Sequence, residues 1–285
     1  MPNPTPRRAR GGIAVPVLLL ACLAGSAGAQ TALERGRYLV EGPVGCGNCH
    51  TPQGPDGPVA GMTLAGGLEF AEPVFRAYAS NITPDRETGI GKWTDAQLIR
   101  AIREGKRPDG STIGPPMPFM LYRQISDTDV AAIVAYLRTV KPVANKVPKS
   151  DYSKFPLPPA WGPPVGKVAD VPRSDKLAWG RYLAGPLAHC VECHSAPTPQ
   201  GPDLQNGLGA GGMKFPGPWG ESVASNITPS NLARYSDAEL KKIITTGVRP
   251  DGSKLKPPMG IPYYAKMTAA DLDAMVAYLR TLPKK

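Results

Sequence analysis

Apolar residues recur at intervals of three and four positions in four segments of the chain, two in each half of the sequence. This spacing puts the apolar side chains on one face of a helix, so it predicts four amphipathic helices. The recurring positions are Leu98, Ile99 and Ile102; Val130, Ile133, Val134 and Leu137; Leu240, Ile243 and Ile244; and Leu272, Met275, Val276 and Leu279.

The four predicted helices begin at recognisable start signals, in which a Ser or Thr is followed three residues later by a side chain that can bond back to the backbone. These signals are Thr94-x-x-Gln97, Ser126-x-x-Asp129, Ser236-x-x-Glu239 and Thr268-x-x-Asp271. Gly105 and Gly247 follow two of the helices and are typical left-handed stops. A further helix is expected at roughly 32–40 and another at 175–184.

The remaining sequence predicts loops rather than strands. Long stretches rich in Gly and Pro separate the helical segments, and no run shows convincing alternation of apolar and polar residues. The sequence therefore predicts an all-α fold.

The helical segments belong to an internal repeat with a period of 142 to 145 residues. The repeated strings start at Gly36 and Gly180, Ser80 and Ser225, Arg107 and Arg249, Pro115 and Pro257, and Ala135 and Ala277. The repeat predicts two tandem domains at 31–142 and 174–285, each of normal domain size. The segment between them, residues 143–173, is rich in Pro and predicts a semi-rigid, extended linker that packs along one or both domains.

Each half also carries one Cys-x-x-Cys-His motif. The motif is Cys46-Gly47-Asn48-Cys49-His50 in the first half and Cys190-Val191-Glu192-Cys193-His194 in the second. This spacing is the attachment signature of c-type haem, because two nearby thiols can form thioether bonds to one porphyrin while the following imidazole binds the iron. The alternative is a pair of thioredoxin-like or zinc motifs. Zinc fails on ligand supply, because neither half offers a second ligand pair at zinc-finger spacing.

The scarcity of other ligands limits the sixth position of each iron. The chain has five Cys and three His, and the fifth cysteine, Cys22, lies outside the motifs. Only His189 remains beyond the motif histidines, so at most one haem could have two histidine ligands and methionine is the usual substitute. Met117 and Met259 occupy equivalent positions in the repeat and are the predicted distal ligands, with Met120 as the rival in the first half.

Three further sets of residues have two interpretations each. His189 is either an outer partner of the second haem or an exposed loop histidine, and the loop interpretation is preferred. Trp93 and Tyr235 either donate to haem propionates or staple a helix start by packing. Asn81 and Asn226 either bond a propionate or shape a turn, and turn formation is favoured.

The N-terminus is typical of a secretory signal at residues 1–29. A basic stretch with Arg7, Arg8 and Arg10 precedes a short apolar run at 13–24, and an Ala-x-Ala cleavage signal occupies 27–29. The run is short for a bilayer span, so cleavage is favoured over a retained anchor. The expected location is the periplasm.

Net charge adds little about partners. The formal charge is +10; removing the three signal arginines leaves about +7, and four ionised haem propionates would leave about +3. No basic cluster is interleaved with aromatic residues, so nucleic acid is not an expected partner. The charge remains compatible with a weakly basic docking face for an acidic redox partner.

Taken together, each half resembles a class I cytochrome c domain, through its Gly-aromatic first helix, Cys-x-x-Cys-His, Pro-Pro-Met loop and final helix with Ala-Tyr-Leu. The Ser-Asn-Ile-Thr-Pro segment and the Trp/Tyr-Ser/Thr-Asp helix start are similar to cytochrome c subunits of membrane-associated bacterial alcohol and gluconate dehydrogenases. The resemblance implies two covalently bound haem c groups attached outside the cytoplasm. The implied proximal ligands are His50 and His194, and the distal ligands are Met117 and Met259. Those subunits often carry three haem domains, whereas this chain has two motifs.

The expected function is therefore electron transfer by a dihaem protein, from a periplasmic dehydrogenase to another cytochrome or an oxidase, rather than enzyme catalysis. The alternative is a haem enzyme such as a dihaem peroxidase or a thiosulfate-oxidising cytochrome. A peroxidase needs a releasable axial site, whereas both halves supply a Met, and no spare Cys exists for the distal ligand used by resembling thiosulfate dehydrogenases. A third hypothesis is a haem-bearing structural subunit without net electron flow. Membrane association is expected only through a partner or a retained signal.

Overall fold

Helices form at each place where the hydrophobic pattern predicts them. The computed structural model describes residues 1–3, 30–217 and 219–285, and Thr31–Lys285 is one compact unit. The helices of the first half are α1 (Ala32–Glu41), α2 (Cys46–His50), α3 (Asp95–Glu104), α4 (Phe119–Tyr122) and α5 (Asp127–Leu137). Those of the second half are α6 (Lys176–Tyr182), continued by a π-helical turn (Leu183–Leu187), α7 (Cys190–Cys193), α8 (Pro229–Leu232), α9 (Asp237–Thr246), α10 (Ile261–Tyr264) and α11 (Ala269–Leu279).

The helix starts are set by the predicted caps. The Thr94 hydroxyl accepts a hydrogen bond from the Gln97 backbone N–H at 3.2 Å, and the Gln97 side chain accepts one from the Thr94 backbone N–H at 2.8 Å. Ser236 and Glu239 form the same reciprocal pair at the start of α9. Because such caps satisfy the orphan N–H groups of a first helical turn, these starts are determined locally.

Within the described part of the chain, four short antiparallel hairpins depart from the all-α expectation. They lie in the Gly- and Pro-rich loops and pair β1 (Gln53–Gly54) with β2 (Gly57–Pro58), β3 (Glu69–Glu72) with β4 (Phe75–Tyr78), β5 (Pro197–Thr198) with β6 (Gly201–Pro202), and β7 (Lys214–Gly217) with β8 (Gly220–Val223). Strands of two to four residues are too short to show a recognisable alternation. The fold is a helical core with small two-stranded sheets beside it.

In each half the first and last helices cross in the core. Their close approach at the crossing point depends on a glycine. A Cβ atom at Gly36 of α1 would lie 1.9 Å from the carbonyl oxygen of Ala132 in α5, and one at Gly180 of α6 would lie 2.0 Å from that of Ala274 in α11. Both distances are far below van der Waals contact, so only glycine permits the backbones to approach this closely. This close approach explains the glycine of the repeated Gly-Arg-Tyr-Leu string.

The two halves meet through two reciprocal hydrogen bonds. Tyr38 of the first half donates to Asp271 of the second (Oη to Oδ2, 2.5 Å), and Tyr182 of the second half donates to Asp129 of the first (Oη to Oδ2, 2.9 Å). Tyr38 and Tyr182 are equivalent in the repeat, as are Asp129 and Asp271, so the contact has approximate twofold symmetry. Burial and the neighbouring carboxylates raise the pKa of both tyrosines above their ordinary value.

The aspartates of this contact have different partners within their own halves. Arg35 forms a bidentate ion pair with Asp129, at 2.7 and 2.8 Å, whereas Trp179 at the equivalent position donates its indole N–H to Asp271 at 2.7 Å. The guanidinium of Arg35 also lies over the Trp179 ring, 5.4 Å from its centroid. Each buried carboxylate is thus hydrogen-bonded from both halves, as burial of a charge requires.

The connecting segment, residues 143–173, runs along the first half. Its backbone pairs with β4, since Arg76 and Asp151 exchange N–H to carbonyl bonds at 2.9 and 2.8 Å. The division of Thr31–Lys285 into two independent domains joined by this segment stays a prediction. The predicted signal at residues 1–29 falls largely outside the described residues. Among the helices that the structure describes, none combines the length and apolar character of a membrane span.

Candidate haem sites

Each Cys-x-x-Cys-His motif lies on a short helix that follows a left-handed residue. Gly45 (φ +59°) precedes Cys46 at the start of α2, and His189 (φ +38°) precedes Cys190 at the start of α7. A positive φ is natural for glycine and uncommon for other residues, although His is among those that tolerate it best. The two motifs therefore share one backbone geometry, at a cost in strain in the second half.

A serine carbonyl orients the imidazole of each motif. The Nδ1 atoms of His50 and His194 lie 2.7 Å from the carbonyl oxygens of Ser80 and Ser225, respectively. A carbonyl can only accept, so Nδ1 carries the proton and Nε2 keeps the lone pair that a metal needs. Burial lowers the pKa of both histidines, which favours the neutral ring.

The role of these two serines was not predicted from the sequence. They open the repeated Ser-Asn-Ile-Thr-Pro string, in which the sequence points to the asparagines as the residues that shape a turn. Asn81 accepts a bond from the Thr83 backbone N–H at 3.0 Å, and Asn226 accepts one from Thr228 at 2.7 Å. The asparagines therefore shape the turn, as favoured, and the turn presents the serine carbonyl to the histidine. The sequence signal that could reveal this role is the recurrence of the Ser-Asn-Ile-Thr-Pro string in both halves.

In the second half the predicted residues come together around one cavity. The cavity has a volume of about 430 Å³, and its wall includes all four predicted side chains, Cys190, Cys193, His194 and Met259. Apolar residues of α9 and α11, among them Leu240, Ile243 and Leu279, also line it, together with Tyr235 and with polar side chains such as Arg234. Two thiols, an oriented imidazole and a thioether facing a largely apolar space fit a haem of c type.

In the first half the predicted distal ligand lies in the loop between α3 and α4. Met117 is half-buried and packs against the hydrophobic core, as does Met259 in the second half. Met120, the rival ligand, is 53% exposed. Trp93, at the start of α3, is also packed against the core, which agrees with its interpretation as a staple. The placement supports Met117 over Met120 as the distal ligand.

Burial disfavours the thiolate form of the motif cysteines as long as no haem is attached to them. Burial raises the pKa of Cys46 and Cys190 to about 12, because a thiolate is poorly solvated there. Burial and the nearby Glu192 raise the pKa of Cys49 to about 11. Glu192 belongs to the second motif, whose contacts with the first half place the two motifs side by side.

Direct contacts between the halves confirm this proximity. Asn48, between the two cysteines of the first motif, lines the cavity of the second half. The half-buried ring of His189 packs edge-on against Tyr122 of α4, with centroids 6.0 Å apart, and its Nδ1 lies 3.1 Å from Glu192 Oε2. His189 is a loop residue, as preferred, but it is half-buried rather than exposed, because its ring packs against Tyr122 of the other half.

Comparison with known proteins finds similarity to cytochromes c. The family model for cytochrome c matches residues 33–141. The chain is 33% identical to the cytochrome c subunit of alcohol dehydrogenase (quinone) from Gluconobacter oxydans, over 95% of this chain and 60% of that subunit. It is 31% identical to the gluconate 2-dehydrogenase cytochrome c subunit from Pantoea cypripedii, over 94% and 63%.

A third relative is of similar length. The chain is 30% identical to a "Diheme cytochrome c-type" protein of Cereibacter sphaeroides, over 84% of this chain and 82% of that protein. By contrast, it spans only 21% to 63% of the dehydrogenase subunits that it matches. The predicted resemblance to dehydrogenase cytochrome subunits is confirmed. The chain belongs to the cytochrome c family, whose members carry covalent haem c and transfer electrons.

Proposed function

We propose that the chain is a dihaem c-type cytochrome with one haem c in each half. The attachment residues are Cys46 and Cys49 for the first haem and Cys190 and Cys193 for the second. The axial ligands are His50 with Met117, and His194 with Met259. The observation that carries the proposal is the single cavity that brings the four second-half residues together, combined with the repetition of the same residues in the first half.

The two sites are suited to relay. Haem supplies one-electron redox chemistry when bound, and the protein supplies orientation and burial. Ser80 and Ser225 hold the imidazoles with Nε2 available. Thioether ligation opposite an imidazole favours a high reduction potential and occupies the position that a substrate would need. Each half is thereby equipped for electron transfer.

Electrons would pass between the halves at the contact of the two motifs. Asn48 borders the second cavity, and its side-chain amide lies 3.5 Å from the carbonyl oxygen of Pro258, next to Met259. The attachment segment of one proposed haem thus touches the ligand loop of the other. An electron that enters at one haem has a short route to the second within a single chain.

The proposed donor is a dehydrogenase and the proposed acceptor is another cytochrome or an oxidase. The names of the relatives support the donor, since several are cytochrome subunits of dehydrogenases. The N-terminal sequence supports a periplasmic location, with membrane association through a partner.

Haem stoichiometry tests the proposal. The chain should be expressed in a bacterium with a cytochrome c maturation system, and its pyridine haemochrome spectrum should give two haem c per chain. The Cys46→Ala/Cys49→Ala variant should retain one covalent haem, and so should Cys190→Ala/Cys193→Ala. One haem in the wild type, or a high-spin and ligand-accessible iron in both halves, would contradict the proposal.

A second measurement tests whether the electron donor is a dehydrogenase. Affinity isolation of the haem-loaded chain from membranes and periplasm should co-purify a dehydrogenase, and adding that enzyme's substrate should reduce both haems. Reduction by an unrelated donor only would overturn the assignment to a dehydrogenase while leaving the haem sites in place.

A further inference from the structure

The connecting segment makes specific contacts with the loop that carries Met117. This loop, residues 113–119, is called the Met117 loop. Tyr152 of the segment donates its hydroxyl to the carbonyl oxygen of Pro115 at 2.6 Å. Trp161 donates its indole N–H to the carbonyl oxygen of Ile113 at 2.8 Å. The loop is therefore held by two side chains that lie far from it in sequence.

Aromatic packing strengthens the same contact. The rings of Trp161 and Phe119 stack with centroids 4.7 Å apart and planes inclined at 30°. Tyr152 also packs against Phe75 of β4, with ring centroids 5.4 Å apart. The segment thus links the Met117 loop to a hairpin on the same half.

Additional bonds fix the ends of the segment to the first half. Asn145 donates its side-chain amide to the carbonyl oxygen of Ala65 at 2.9 Å. Near the other end, the backbone N–H of Val165 donates to Glu104 at 2.9 Å. Because the segment is hydrogen-bonded to the first half near both of its ends, it stays in contact with the Met117 loop. Its many prolines reduce the conformational entropy that it loses in this position.

The equivalent loop of the second half is held differently. The carbonyl oxygen of Pro257, which corresponds to Pro115, accepts a bond from Ser222 of β8 at 2.6 Å. That donor is a short hydroxyl from a local hairpin instead of an aromatic side chain from a connecting segment. The two proposed distal ligands therefore have different supports, although their loops are repeats of one another.

A difference in sequence between the two halves agrees with the different supports of the two loops. Gly114 stands where the second half has Lys256, and a Cβ atom at Gly114 would lie 2.4 Å from the ring of Tyr152. Lys256 is exposed, and its ammonium donates to the carbonyl oxygen of Glu221 at 3.2 Å. The absence of a side chain at residue 114 is what allows Tyr152 to lie on the loop.

We infer that the connecting segment is a clamp that holds the Met117 loop closed, so that the first haem keeps its methionine ligand more firmly than the second. Tyr152 and Trp161 are positioning residues, which act on Met117 through the loop backbone. The inference rests on the proposed ligation by Met117 and Met259. It makes the two haems unequal: an added ligand displaces Met259 first.

Imidazole titration of the ferric, haem-loaded chain tests the clamp. Imidazole competes with methionine for the iron, and displacement abolishes the far-red methionine-to-iron charge-transfer band. The wild type should lose this band in two steps. The first step is displacement of Met259 and the second, at a higher imidazole concentration, is displacement of Met117. Trp161→Ala removes a hydrogen bond and a stacked ring from the Met117 loop, so it should lower the imidazole concentration needed for the second step by about tenfold. The first step should not move.

Two further variants locate the effect. Gly114→Lys introduces the residue of the second half and should displace Tyr152, with the same result as Trp161→Ala. Ser222→Ala is the matched control, because it removes the corresponding bond in the second half and should move only the first step. Equal shifts of both steps in Trp161→Ala, or no shift in either step, would overturn the clamp.

A measurement on the wild type covers the case in which the variants fail to fold. Backbone amides of residues 113–119 should exchange hydrogen more slowly than those of residues 255–261, and faster or equal exchange would overturn the inference.

A wild type with two haems but no far-red band would refute methionine ligation, and the clamp with it. A band that is present and insensitive to Trp161→Ala would refute the clamp alone.

Discussion

At the scale of single residues, a backbone carbonyl decides which nitrogen of each motif histidine is available to iron. Ser80 and Ser225 accept from Nδ1 of His50 and His194 at 2.7 Å. The serine side chain takes no part in this bond, which explains why the residue type alone did not suggest the role. What the sequence must supply is a turn of the right shape, and the neighbouring asparagines supply it.

The proposed ligation of iron by Met117 gives a prediction at the same scale. Met117→Ala should abolish the far-red band of one haem and lower its reduction potential, because a weaker or exchangeable ligand replaces the thioether. Met120 is 53% exposed, so Met120→Ala is the control and should leave the ferric spectrum unchanged. Loss of the band in Met120→Ala and its retention in Met117→Ala would reverse the assignment.

At the scale of elements, the helix crossings explain the glycines of the repeat, whereas caps explain the helix starts. The caps act within one turn and were visible in the sequence. The crossings join residues about a hundred positions apart, such as Gly36 and Ala132, and no local pattern reports them. The hairpins are a third case: their strands are so short that pairing depends on the turns that join them.

Gly36→Ala tests the crossing of α1 and α5. The added methyl group would lie 1.9 Å from the carbonyl oxygen of Ala132, so the helices must separate, at a cost of about 3 kcal/mol in the free energy of unfolding. Guanidinium denaturation followed by circular dichroism measures this cost. Gly166→Ala is the matched control, since a Cβ there meets nothing within 4 Å, and its effect should stay within about 1 kcal/mol. Equal effects of the two substitutions would argue against the close approach.

At the scale of the whole molecule, the two halves are joined by a symmetric pair of tyrosine-aspartate bonds. These contacts use residues that the repeat duplicates, so each half contributes one tyrosine and one aspartate. The duplication is broken at Arg35 and Trp179, which occupy equivalent positions but bond the equivalent aspartates through different groups, a guanidinium and an indole N–H. The contact between the halves therefore has approximate but not exact twofold symmetry.

This contact predicts loss of stability at alkaline pH. Burial, together with Asp271 or Asp129, raises the pKa of Tyr38 and Tyr182 in the folded state. Below the ordinary tyrosine pKa of about 10 both states keep the proton, and the stabilisation is fully present. Above it the unfolded chain loses the proton first, so the stabilisation falls as pH rises towards the raised value. Urea unfolding at pH 9 and pH 11 should show a smaller decline in Tyr38→Phe/Tyr182→Phe than in the wild type. The same decline in both proteins would show that other groups cause it.

The haem residues and the helix positions were accessible from the sequence because they depend on short-range patterns. Two cysteines and a histidine within five residues define an attachment site, and apolar residues every three or four positions define a helical face. His189 is a residue that such patterns describe only in part. Its position before Cys190 predicts the loop in which it lies, but its partial burial against Tyr122 depends on how the two halves pack.

The amino-acid sequence by itself determined that this protein has two Cys-x-x-Cys-His motifs, an internal repeat with matching helical segments and a methionine at equivalent positions of the two halves, since each follows from local spacing or from comparison of one half with the other. The tertiary structure alone decided that the motifs touch, that reciprocal tyrosines join the halves, and that the connecting segment lies on the Met117 loop. These features are contacts between residues distant in sequence. Their formation depends on shape and buried hydrogen bonds that no short pattern encodes.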